Sequence, residues 1–131
     1  MSYTTVKKVH ISDLHFDHVL WKNELSFYKE ELVIFQKRLD EVSGKNTSAE
    51  MKPEQSRLQN QLLIQKNEID EISHILNVHE DSIASHSKEH PVASDHSLHT
   101  DHAGLRERVK QFIVLYTPFK QELMKFLSTW M

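Results

Sequence analysis

The sequence predicts an all-α protein. It reads as a single domain over residues 1–131, an up-down-up bundle of three long antiparallel helices, the third kinked at Pro118, associating as a dimer. Three observations predict this. Apolar residues recur in alternating steps of four and three over three stretches of the chain. That spacing keeps one stripe of a long helix against a partner helix. Only 2 Gly and 3 Pro punctuate 131 residues, so the elements are few and long. Polar segments around 45–52 and 87–104 separate the three seams, and short connections between long helices fold each one back on the last.

The first seam is Leu14, His18, Trp21, Leu25, Tyr28, Leu32, Phe35, Leu39 and Val42. Residues 1–11 form a polar lead in which Val6, Val9 and Ile11 pack lightly on the bundle. Ser12 or Asp13 is the expected N-cap, and Asp13 and Asp17 suit the positive end of the helix. Ser43 and Gly44 supply the expected stop.

The second helix should start between Thr47 and Pro53. Thr47-Ser48-Ala49-Glu50 has the spacing of a capping box, and Pro53 is tolerated only in a first turn. Its seam is Leu58, Leu62, Gln65, Ile69, Ile72, Leu76, His79, Ile83 and His86. It should end by His90, because Pro91 disfavours helix at the residue before it. At ~1.5 Å per residue, each of these two helices is about 45–55 Å long.

The third seam is Leu105, Val109, Phe112, Tyr116, Phe119, Leu123, Phe126 and Trp130, and it can be traced back through His102 and Leu98. The helix is expected to begin near Ser94 or Thr100. Pro118 lacks the N–H that would reach residue 114 and is expected to bend the helix without breaking the seam.

Composition narrows the function. The net charge of −3 comes from interspersed charges of both signs, which argues against a nucleic-acid partner. No apolar run approaches the ~20 residues that span a bilayer, so no membrane partner is expected. The start of the chain has no apolar core of a secretory signal, and a cytoplasmic location is expected. With no Cys there is no disulfide, thiolate metal site or thiol nucleophile. Neighbouring Ser–His pairs such as Ser73–His74 and Ser85–His86 do not face each other on a helix. No phosphate-binding glycine loop or His-Glu-x-x-His motif occurs. The protein is therefore not expected to be an enzyme.

The 10 histidines fall in two groups, at 10, 15 and 18 and at 74, 79, 86, 90, 96, 99 and 102. An antiparallel course would collect both groups at one end. His18, His79 and His86 occupy seam positions, and His90 and His102 continue two of the seams. A register set by the 42–58 connection places His18 level with 79–83, Leu14 near 86, and His102 level with 86. Asp13, Asp17, Glu80 and Asp101 flank these positions. Imidazoles converging from facing helices are a metal-ligand arrangement, and without Cys they suit Zn or Fe. The candidate ligands are His18, His79, His86, His90 and His102. Two spacings resemble those of carboxylate–histidine iron bundles, His86–His90 and Glu71–His74. Neither recurs on a second helix, so no family and no oxygen chemistry follow from them.

A second stripe on the first helix, Leu20, Phe27 and Ile34, repeats every seven residues outside the main seam. Such a stripe fits a homodimer or another protein partner. The leading expectation is a non-enzymatic interaction or scaffold module acting through this face. The alternative is a divalent-metal-binding bundle with its histidines at one end.

Overall fold

The computed structural model describes residues 11–45, 48–89 and 96–131. Their regular structure is three helices: α1 over Ile11–Lys45, α2 over Met51–Glu89 and α3 over His96–Trp130. There is no strand among the described residues, and no helix is long and apolar enough to cross a membrane.

The predicted seams are the buried faces. Leu14, Leu25, Leu32, Leu39 and Val42 on α1 are buried, as are Leu58, Leu62, Ile69, Ile72 and Leu76 on α2. On α3 the buried set runs from Leu98 to Phe126. Met51, one heptad before Leu58, joins this core. A fully buried side chain of this size contributes roughly 1.5–3 kcal/mol relative to an exposed one. The seams therefore supply the main drive for forming these helices, whose stability comes mostly from packing of the apolar face.

The helix bounds differ from expectation in small ways. α1 already includes Ser12 and Asp13, which lie in its first turn and not at its cap. It also continues through Ser43 and Gly44 to Lys45. Gly44 does not adopt the left-handed conformation that would end the helix there. Glycine permits that conformation without requiring it. α2 begins inside the expected window, with Pro53 in its first turn. Thr47 lies outside the described residues, but the Ser48 hydroxyl accepts a hydrogen bond from the Glu50 N–H at 3.2 Å. α3 begins at His96, between the two starts considered, and passes through Gly104 and Pro118 as one helix.

Side-chain pairs give the relation of the helices. Between α1 and α2, His18 meets His79, Lys29 meets Asp70, and Gln36 exchanges two hydrogen bonds with Gln59 at 2.7 and 2.8 Å. Residue numbers rise on one helix as they fall on the other. The same holds for α2 and α3, where Arg57 meets Glu122, Arg108 meets Glu68, and His79 meets the Leu98 carbonyl. Between α1 and α3 the numbers rise together: Asp17 meets His102, and Glu31 meets both Tyr116 and Lys120.

The interior is divided. The main apolar core extends from Val42, Met51 and Phe126 to Trp21, Leu76 and Leu105. A separate small cluster holds Leu14, Ile83 and Leu98. On each helix a buried histidine stands between the two: His18, His79 and His102.

Candidate metal centre

The three seams that bury leucine elsewhere bury imidazole at one level. His18, His79 and His102 are 1%, 5% and 2% exposed. Their ring centroids lie 4.9 Å apart for His18–His79, 5.3 Å for His18–His102 and 5.6 Å for His79–His102. One ring nitrogen from each lies within 4.8 Å of the others. Each helix contributes one residue, so the cluster exists only when all three helices are in register. Trp21, one turn along α1 from His18, covers the ring of His102 with centroids 4.8 Å apart.

Each imidazole is held by an acceptor. His18 Nδ1 donates to Glu80 Oε1 at 2.5 Å. His79 Nε2 donates to the Leu98 carbonyl at 3.2 Å. His102 Nε2 donates to Asp17 Oδ2 at 2.9 Å. Such a bond places the proton of a neutral ring on the nitrogen that faces the acceptor. The remaining nitrogens are His18 Nε2, His79 Nδ1 and His102 Nδ1, each with a lone pair. The first two face each other at 2.9 Å. Two lone pairs at that distance require a proton or a cation between them. The third, His102 Nδ1, is buried with no hydrogen-bond partner, a condition that ordinarily costs about 1–3 kcal/mol.

Burial pushes His18 below the ordinary imidazole value, against the opposing pull of Glu80. His102 is pushed down for the same reason, against its bond to Asp17. For Glu80 burial acts upward, but the hydrogen bonds from His18 and His15 outweigh it and hold the carboxyl below its usual range. Neutral imidazole beside an ionised carboxylate is the protonation pattern of a metal ligand with its supporting group.

Of the histidines singled out from the sequence, the structure brings together His18, His79 and His102. His86 lies about two turns further along α2, past Ile83, and does not join this cluster. His90 lies outside the described residues. The register expectation for His102 is corrected: it stands beside His79 and not level with His86. The α1–α2 turn sets His18 against His79, but it carries no information on where α3 begins. Asp17 and Glu80 were legible as flanking acids. The Leu98 carbonyl, the cover from Trp21, and His15, whose Nδ1 lies 2.5 Å from Glu80 Oε2, were not. A backbone acceptor has no residue type to betray it, and His15 lies off the seam.

Beside His79, a hollow of about 390 Å³ opens between α2 and α3, lined in part by Val78, Ser82, Asp101, Gly104 and Arg108. Both ring nitrogens of His79 are engaged inside the bundle, so it presents no ligand atom to that hollow. On the outer face of α1, Leu20, Phe27 and Ile34 are 45%, 54% and 55% exposed. Comparison of the chain with protein-family models, curated proteins and solved structures finds no match.

Proposed function

We propose that this protein is a bundle whose helices run up, down and up, and that it binds a divalent transition-metal ion, Zn²⁺ or Fe²⁺, through His18, His79 and His102. One observation carries the reading. Three buried histidines, one per helix, each have one nitrogen held by an acceptor, while the second nitrogens of His18 and His79 face each other and that of His102 is buried without a partner. Metal-ligating histidines characteristically donate their second nitrogen to a carboxylate or a backbone carbonyl, as all three do here. A layer of imidazoles serving packing alone would leave His102 Nδ1 unsatisfied for no return. Carboxylates stand behind two of the three imidazoles, Glu80 behind His18 and Asp17, which it shares with Arg106, behind His102. Three nitrogen ligands with no thiolate favour Zn²⁺ or Fe²⁺ over soft monovalent copper.

The test is elemental analysis of untagged protein purified without chelator or added metal, followed by titration of the metal-free chain with Zn²⁺. The expected result is one tightly held ion per chain, lost separately in His18→Ala, His79→Ala and His102→Ala. Absence of binding in the unsubstituted chain overturns the reading.

A second reading is favoured by the exposure of Leu20, Phe27 and Ile34 in one seven-spaced row. We infer that this row is a contact face for a second copy of the chain or another protein, and that the bundle acts as an interaction module without catalysis. Phe27→Asp is expected to dissociate a dimer in sedimentation while leaving bound metal in place. Sedimentation of the unsubstituted chain as a monomer at all concentrations removes the dimer. The proposed bend of α3 at Pro118 belongs to the same architecture.

A further inference from the structure

The triad is buried, so an ion reaches it through a neighbouring group or when this end of the bundle opens. We propose that His15 and Glu80 form an outer, exchangeable divalent-cation position through which the triad is loaded; the proposal rests on the metal reading above. His15 is 57% exposed and Glu80 is 25% exposed. Glu80 places one oxygen 2.5 Å from His15 Nδ1 and the other 2.5 Å from His18 Nδ1. A single carboxylate thus joins a surface imidazole to a buried one. The separation of His15 Nδ1 from Glu80 Oε2 lets one cation engage both after a small outward shift, replacing the hydrogen bond between them. Two protein ligands leave the remaining coordination positions to water, which makes such a position weak and quick to exchange.

The other routes are less suited to a cation. Asp17 also links the triad to the surface, through His102, but Arg106 lies 3.5 Å from the same Asp17 oxygen. A fixed guanidinium there repels an arriving cation. On the Glu80 side the charge of Lys22 acts on His18, but it is the last and smallest of the influences on that ring. The hollow beside His79 has a carboxylate in Asp101, but no hydrogen bond joins Asp101 to the triad, and Arg108 stands on its lining. Among the described residues, the His15–Glu80 pair joins two potential ligands to a histidine of the inner site, where Asp17 offers a single carboxylate shared with Arg106.

The experiment is stopped-flow uptake of Co²⁺ by the metal-free full chain, read by the visible absorption of the bound ion, alongside equilibrium titration. The rate in the unsubstituted protein should level off at high Co²⁺, because a weak outer complex forms first. His15→Ala should slow uptake by about tenfold and make the rate linear in Co²⁺. The equilibrium affinity should stay nearly unchanged, since release slows with uptake. Asp101→Asn should behave as the unsubstituted chain. Three results overturn the loading position while the inner site stands. These are an unchanged rate in His15→Ala, a weaker affinity in that variant caused by faster release alone, or slowed uptake in Asp101→Asn. If the unsubstituted protein takes up no Co²⁺, the inner site and the loading position fall together.

Discussion

At the residue scale, His102 separates structural from functional demands. Its Nδ1 is buried without a partner, which costs stability unless an ion or proton occupies the site. Leucine at this position would fill the seam and remove the unsatisfied atom, while the partly exposed Asp17 keeps Arg106. His102→Leu is therefore expected to stabilise the metal-free protein by about 1 kcal/mol in urea denaturation and to abolish tight metal binding. A gain of stability together with loss of metal would mark His102 as serving function at the expense of stability. Loss of stability on this substitution would show that the imidazole is needed for packing alone.

The same residues set a pH dependence. His18 and His102 titrate below their ordinary value of 6.5 because burial disfavours the charged ring. The unfolded chain then binds protons before the folded one does. Their contribution is fully present above about pH 6.5 and is lost as pH falls from there through the lowered folded values. Melting temperature of the metal-free protein should fall over that acid limb, and bound metal should move the fall to lower pH, because protons and metal compete for the same lone pairs.

At the element scale, α3 carries a proline in its interior, at Pro118, which is exposed. Proline there removes one backbone hydrogen bond and costs a helix interior roughly 3 kcal/mol relative to alanine. The seam runs through it without a change of phase, Tyr116 and Phe119 both remaining buried. Nearby, the Thr117 hydroxyl donates to the Ile113 carbonyl at 3.0 Å. Pro118→Ala should restore the backbone bond and stabilise the protein by about 1–3 kcal/mol in chemical denaturation.

The elements also show what a sequence can reveal here. Burial on each helix follows the alternating spacing from Leu14 to Val42 and from Leu105 to Phe126, because heptad periodicity is a local property of the chain. The candidate site was legible for the same reason, as His18, His79 and His102 stand at seam positions. The stagger of α3 was not legible. It depends on a connection whose length does not fix its path, and it places His102 beside His79 one heptad away from the expected level. The helix ends were off by a few residues, because Ser43 and Gly44 allow a stop without compelling one.

At the scale of the whole molecule, the histidine layer divides the bundle into unequal parts. The long side of it is held by the continuous core from Trp21 and Leu76 to Phe126. Beyond it, the apolar cluster among the described residues is Leu14, Ile83 and Leu98. If that cluster is all that holds this end, it should open locally at a free energy well below that of global unfolding. An ion bound to one histidine from each helix would bolt that end shut. Ligand that binds only the closed state stabilises it by RT ln(1 + [L]/Kd), about 2.7 kcal/mol at a hundredfold excess over Kd. Amide hydrogen exchange with and without Zn²⁺ should therefore show slowing by about a hundredfold concentrated in the first turns of α1, the last turns of α2 and the first turns of α3. The middle of the bundle, around Leu32, Leu62 and Phe112, should already exchange slowly and change little. Protection spread evenly along all three helices would mean that the bundle opens as one cooperative unit and that the histidine layer is not a boundary.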